Sequence, residues 1–271
     1  NNDSKNLKNV EILNFSSIEQ SQLRNSMIFS GLEVIKYNVN RKKIDLKLFE
    51  FGKEYHKTDN GKYLEIEKLA IFIYGPKNNQ HWNNPEKKSD YYFLKGIVKS
   101  LTDRLGFNNV KSKPIVSENI SEGETFSYSK SEIASFGIIN KEICKFFDLN
   151  EDVLYAEVDI NTVLNKFSNK PAQFQSISKF PEVTRDLSIL IDSEIKFENI
   201  YKVSKQINQK LIKEITLFDV YEGKNLPKNK KSYGISFKMQ DNEKTLSEAE
   251  IESVMSNITS KLKKEFNAEL R

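Results

Sequence analysis

Asp186-Leu187-Ser188-Ile189-Leu190-Ile191 puts Leu187, Ile189 and Ile191 on one side of an extended chain and Asp186, Ser188 and Leu190 on the other. That period of two is the pattern of a strand with one apolar face. Downstream, Phe197, Ile200, Val203, Ile207 and Leu211 recur at spacings of three and four, which predicts an amphipathic helix. The stretch from Ile212 to Tyr221 is rich in β-branched and aromatic residues. Beyond a loop containing Pro227, Tyr233, Ile235, Phe237 and Met239 alternate with Ser232, Gly234, Ser236 and Lys238, so two further strands are expected. Ser247 with Glu250 forms a capping box ahead of the stripe Ile251, Val254, Ile258, Leu262 and Phe266. A short strand from Ala268 to Arg271 can close the sheet.

The resulting order, strand-helix-strand-strand-helix-strand, is the βαββαβ pattern of a ferredoxin-like sandwich. Both helices must then cover one sheet face and leave the other open, the arrangement RNA-recognition modules use to stack bases. Working outward, the polar stretch Ser168-Asn169-Lys170-Pro171-Ala172-Gln173 separates this segment from the rest. It marks off domains at 1–170 and 176–271. The first mixes elements in the α+β manner. Ser16 and Glu19 form a capping box before a helical stretch from Leu23 to Val39. Strands are expected at Leu48 to Phe51 and Leu69 to Tyr74, the latter ended by Gly75-Pro76. Phe93, Ile97, Leu101 and Leu105 predict a helix from Tyr91 stopped by Gly106. Strands near Val110 to Val116, Ile133 to Ile139 and Leu154 to Ile160 complete a mainly antiparallel sheet.

The 271 residues fit about two domains at ~150 residues each. Ten Gly and six Pro exclude collagen-like and low-complexity chains, and 18 Phe with 11 Tyr argue against disorder. No apolar run approaches the ~20 residues of a membrane helix and no signal peptide opens the chain, so a cytoplasmic protein without membrane contact is expected. Cys144, His56 and His81 are the only thiol and imidazoles, which excludes an internal disulfide and leaves no zinc spacing; no metal site is expected. A net charge of +4 does not announce a nucleic-acid binder, so any RNA site must be local. The start at Asn1 rather than Met suggests a fragment.

The chemistry-bearing residues gather in Leu217-Phe218-Asp219-Val220-Tyr221-Glu222-Gly223. If Phe218 and Val220 face the helices, Asp219 and Tyr221 share the open face. A carboxylate can accept from the N1–H and N2–H₂ of guanine, and a phenol ring can stack on a base. The residues alone leave the pair equally readable as a solvated charge and a surface tyrosine. Ile215 and Leu217 share parity with Asp219, which implies a bulge or a partly covered face. Lys224, Lys228, Lys230 and Lys231 follow in one loop and could hold phosphates, although most such loops are simply solvated. In the first domain, Trp82 is expected to pack, and Arg24 and Arg41 to pair with Glu19 or Glu33.

Phe180-Pro181-Glu182-Val183-Thr184-Arg185-Asp186-Leu187, the Leu217 to Gly223 stretch, Lys231-Ser232 and the closing Leu270-Arg271 resemble the anticodon-binding domain of the bacterial phenylalanyl-tRNA synthetase β-subunit family. Leu13-Asn14-Phe15-Ser16, Leu23-Arg24-Asn25-Ser26, Phe49-Glu50-Phe51-Gly52-Lys53, Tyr92-Phe93-Leu94-Lys95-Gly96 and Tyr155-Ala156-Glu157-Val158-Asp159 look like its class II synthetase-like domain. The resemblance spans the chain in order. It implies an antiparallel class II-like scaffold followed by a ferredoxin-like module that grips the tRNA(Phe) anticodon, with Asp219, Tyr221, Ser232 and Ser188 at the first anticodon base; Lys230 and Lys231, from the lysine-rich loop, are then expected on phosphates. It further implies a catalytic α subunit as partner in an α2β2 heterotetramer. ATP and Mg²⁺ would then belong to the parent enzyme, with no cofactor in this segment. The family's ATP-binding arginines are missing: Gly52-Lys53-Glu54-Tyr55-His56 ends in histidine and no G-x-G-x-x-R occurs. Asn140-Lys141 also departs from the family's usual His-Pro. A non-catalytic segment is expected. The competing expectations are a first domain that itself binds ATP or an amino acid, and a purely structural dimerisation module.

Overall fold

The computed structural model describes residues 7–18, 21–78, 81–83, 85–107, 109–115, 117–167, 176–223 and 226–271. The chain divides into two units, Asn1–Pro171 and Ala172–Arg271. The Ser168 to Gln173 stretch lies outside the described residues, as do Glu19 and Lys224.

The first unit contains α1 (Ile28–Val39), β1 (Leu46–Lys57), β2 (Tyr63–Tyr74), β3 (Pro76–Asn78), β4 (Lys87–Lys88), α2 (Tyr91–Arg104), β5 (Lys111–Ile115), β6 (Ile120–Tyr128), β7 (Ser131–Ile139), α3 (Lys141–Phe146), β8 (Val153–Asp159) and α4 (Ile160–Lys166). Six strands form one antiparallel sheet in the order β1-β2-β8-β7-β6-β5. Each sheet face has its own core. Met27, Leu32 and Ile35 at α1 pack on Ala70, Phe72 and Tyr155, while Leu94 and Val98 of α2 and Val163 of α4 pack on Ile73, Phe136 and Ala156. Buried on both sides, β2 and β8 lack simple alternation, as central strands do.

Several local expectations shift. Helix α1 begins at Ile28 rather than Leu23, because the Met27 amide donates to the Glu54 carboxylate (3.2 Å) while Gln22 bridges to Glu11. Ser16 lies well ahead of that start and does not cap it. Helix α2 starts on Asp90, whose side chain accepts from the Phe93 amide (2.7 Å), and Gly106 follows it at φ +85°. Trp82 is exposed rather than packed. Arg24 pairs with Glu50 (2.7 Å), and Arg41 lies 3.4 Å over the Tyr37 ring instead of meeting Glu33.

The second unit runs β9 (Val183–Asp192), α5 (Phe197–Ile207), β10 (Ile212–Tyr221), β11 (Lys230–Met239), α6 (Glu248–Phe266) and β12 (Glu269–Leu270). Its sheet is antiparallel throughout, ordered β10-β11-β9-β12, which is the ferredoxin-like βαββαβ fold expected from the hydrophobic periods. Ser247 and Glu250 cap α6 reciprocally: the Ser247 amide donates to the Glu250 carboxylate (2.9 Å) and the Glu250 amide to the Ser247 hydroxyl (3.4 Å). Asn267 ends that helix in the left-handed region at φ 51°. Ile189, Ile191, Tyr233, Ile235 and Phe237 form the core with Ile200, Ile251, Val254, Ile258 and Leu262 of the two helices.

Candidate nucleic-acid interface

Residues directly opposite in an antiparallel pair share a face, so the register identifies the side of the sheet away from α5 and α6. Asp219 lies opposite Gly234, and Gly234 opposite Ser188. In the next row, Tyr221 lies opposite Ser232, and Ser232 opposite Leu190. Lys230 is opposite Asp192. The Ser188 and Ser232 hydroxyls stand 3.5 Å apart across the two central strands. Asp219, Tyr221, Ser232, Ser188 and Lys230 are thus brought onto one face, none of them in the helix-side core.

Alternation sends Lys231 the other way. It pairs with Ile191, a core residue, and its Nζ rides 5.0 Å over the Tyr233 ring on the helix side. Lys230 and Lys231 belong to strand β11 rather than to a loop, and only Lys230 faces the candidate surface. Even there, Lys230 is held by Asp192 (3.3 Å) and Glu269 (3.7 Å). Lys228 is exposed in the turn before β11.

The implied bulge is present. The β10–β11 register slips between Leu217 and Asp219, so that Leu217 faces Ile235 and Asp219 faces Gly234 with Phe218 unpaired between them. Phe218 does not join Val220 on the helix side. A Cβ placed on Gly234 would lie 2.7 Å from Phe218 Cε2 and 3.0 Å from Asp219 Cβ, which puts the Phe218 ring on the open side above that glycine. Arg271 is a second residue missed in assembling the site. Its amide donates to the Ser188 carbonyl (3.1 Å), and its guanidinium lies 5.5 Å from the centre of the Tyr221 ring, so it spans the face from one edge strand toward the other. The parity conflict at Ile215 and Leu217 was the signal for Phe218; nothing short of strand order could place Arg271.

The first unit also has a polar sheet patch, of opposite character. Lys68 meets Glu157 (3.3 Å) and Asp159 (4.0 Å), and Glu157 accepts from the Tyr155 (2.7 Å) and Ser135 (3.3 Å) hydroxyls. Burial pushes the Glu54 carboxyl above its ordinary value, and the charge of Glu157 adds to that. Burial pulls Lys68 down, but Glu157, Glu54 and Asp159 together outweigh it and raise the ammonium above the usual lysine range. Burial, helped by Lys68, lowers His56. Arg24 is tied to Glu50 and to the Lys53 carbonyl (2.8 Å). A triphosphate needs cations free to receive it. Here Lys68 and Arg24 are already engaged by carboxylates, so this patch does not fit ATP.

Residues 1–160 match the phenylalanyl-tRNA synthetase beta chain CLM domain, and residues 178–271 match the ferredoxin-fold anticodon binding domain. The chain belongs to the phenylalanyl-tRNA synthetase beta chain family. It is 35% identical to the phenylalanine–tRNA ligase beta subunit of Bacteroides thetaiotaomicron over 97% of this chain and 33% of that one. Identity to the Porphyromonas gingivalis beta subunit is 33%, again over 97% of this chain and 33% of the other. The chain therefore spans about a third of the length of these relatives. A pyrrolysyl-tRNA synthetase structure from Desulfitobacterium hafniense aligns at 12% identity and a TM-score of 0.42, covering 53% of this chain and 49% of that one, a likeness too slight to build on. Among the described residues no helix is long and apolar enough to cross a membrane.

Proposed function

We propose that this chain is the part of a phenylalanine–tRNA ligase beta subunit that holds the anticodon of tRNA(Phe) on its second unit and supports the catalytic α subunit with its first. The carrying observation is the open face of the second sheet, where Asp219, Tyr221, Ser188, Ser232 and Arg271 lie together and outside the core. Asp219 accepts from a guanine edge and so carries base identity, while Tyr221 stacks without regard to sequence. The Ser188 and Ser232 hydroxyls, donors and acceptors both, line the floor beside them.

The scaffold role is supported by an apolar groove of about 390 Å³ on the first unit, lined by Leu48, Phe49, Phe51, Ile71, Ile97 and neighbouring residues. Phe49 and Phe51 alternate onto one side of β1 and are 71% and 67% exposed, a surface suited to a protein partner. Because Lys68 and Arg24 are already neutralised, the segment activates no amino acid; ATP and Mg²⁺ serve the α subunit of a cytoplasmic α2β2 enzyme. The test is filter binding of the chain to tRNA(Phe) and to a tRNA(Phe) changed only at the first anticodon base. Preference for the unchanged tRNA is expected; equal binding overturns the anticodon role.

A further inference from the structure

We propose that the open face seats two unpaired bases, the second of them on Phe218. This rests on the anticodon reading above and extends it to a residue that strand parity alone assigns to the core side. The bulge between Leu217 and Asp219 gives β10 one residue more than its partner strand. Leu217 and Val220 point to the helix side, opposite Ile235 and Tyr233 of the core. Phe218 and Asp219 are left side by side on the other face, the local rearrangement a bulge permits.

Gly234 makes that placement possible. With any side chain at 234, a Cβ would come within 2.7 Å of Phe218 Cε2 and 2.8 Å of Cζ. A strand-interior glycine costs roughly 0.5–1 kcal/mol relative to alanine and often marks a close approach. Here the approaching group is the Phe218 ring. The ring contributes nothing to the core and remains 58% exposed.

Tyr221 is the more enclosed of the two aromatics. A Cβ on Gly223 would lie 2.6 Å from its hydroxyl oxygen, the Arg271 guanidinium lies on another side, and the residue is 36% exposed. Phe218 therefore offers the larger free aromatic surface. Phe218 lies over Gly234 and Tyr221 opposite Ser232, two residues apart on β11, so the two seats are roughly 7 Å apart along the sheet, with Asp219 between them in the chain. Four-stranded sheets that bind RNA stack two or three bases on such spaced aromatics.

The experiment titrates the full chain with a labelled RNA hairpin bearing the tRNA(Phe) anticodon loop, and with hairpins abasic at one loop position at a time. Phe218→Ala should weaken the intact hairpin roughly thirtyfold, the middle of the range for one stacked base, and Phe218→Trp should restore binding. One abasic position should cancel the difference between wild type and Phe218→Ala, and a different one should cancel the effect of Tyr221→Ala. Three outcomes overturn the second seat and leave the anticodon reading standing: Phe218→Ala within about twofold of wild type while Tyr221→Ala weakens; a single abasic position that cancels both variants; or a Phe218→Ala loss that no abasic position cancels. A wild-type chain that does not bind the hairpin overturns both. Circular dichroism melts of each variant exclude unfolding as the cause of any loss.

Discussion

The two sheets of this chain each present polar side chains on one face, and they use them in opposite ways. On the first unit, Lys68, Glu54, Glu157, Asp159 and Tyr155 complete one another's hydrogen bonds and charges. On the second, Asp219 and Phe218 face outward, Asp219 with no hydrogen bond or ion pair among the described residues, and Arg271 at the edge rests on an aromatic ring. A self-satisfied polar cluster stabilises a fold, whereas a polar surface with aromatic floor and unspent acceptors is available to a ligand. Polarity by itself does not distinguish a site from a buttress; the state of its hydrogen bonds does.

The comparison breaks most visibly at Lys68. Replacing it with methionine leaves Glu54, Glu157 and Asp159 facing one another without the cation, a change that costs about 3 kcal/mol for a largely buried pair. A drop of the first unit's melting temperature by roughly 6–12 °C is expected in circular dichroism scans at pH 7. A variant that melts with wild type would mean the cluster is ordinary surface charge. Tyr221→Ala on the second unit should leave melting nearly unchanged but cost about 1–3 kcal/mol of tRNA binding. Asp219→Ala should cost less overall while erasing the preference for guanine at the first anticodon position. Filter binding reads both, and an unaltered cognate-to-changed ratio in Asp219→Ala would remove the carboxylate from base recognition.

Much of the second unit was legible because its apolar residues keep strict periods: three and four from Phe197 to Ile207, two from Tyr233 to Met239, and a Ser247-to-Glu250 box that marks a helix start unaided. Strand β6 of the first unit was not legible. Ser121, Glu122, Gly123 and Glu124 are poor strand formers, held extended by pairing with β7 on one side and, at Gly123 and Glu124, with β5 on the other. The candidate site divides the same way. Asp219 and Tyr221 follow from parity, but the position of the extra residue at the bulge is fixed by Gly234, sixteen residues downstream, so Phe218 could not be assigned locally. Arg271 reaches Tyr221 only because β12 and β10 flank the same sheet.

Glu54 sharpens the contrast with a smaller effect. Its carboxyl is raised in the folded protein, chiefly by burial, so the folded state holds its proton more tightly than the unfolded state does. Stability from this group is present at low pH and is lost as pH rises from 4.5 through the folded value. Glu54→Gln keeps an oxygen to accept from the Met27 amide (3.2 Å) and removes the charge. It should stabilise the first unit by about 1 kcal/mol at pH 7 and confer no advantage near pH 4, measured by urea unfolding at the two pH values. Equal gains at both would separate the effect from ionisation.

The smallest effect concerns two adjacent lysines that face opposite ways. Lys230 lies on the open face, where it neutralises Asp192 and Glu269. Lys230→Ala removes one cation near bound RNA and also exposes two carboxylates to its phosphates. Every tRNA should weaken similarly, with the slope of log affinity against log salt reduced by about one. Lys231 sits over Tyr233 on the helix side. Lys231→Ala should leave both tRNA affinity and salt slope at the wild-type value and act on folding stability alone, through the loss of a buried cation–π contact. Salt titrations of the two single variants decide the matter, because a loop of interchangeable phosphate-binding lysines would respond alike at 230 and 231. A strand of alternating faces responds at 230 alone, and equal slopes in the two variants would show that the β11 register does not govern which charge the RNA meets.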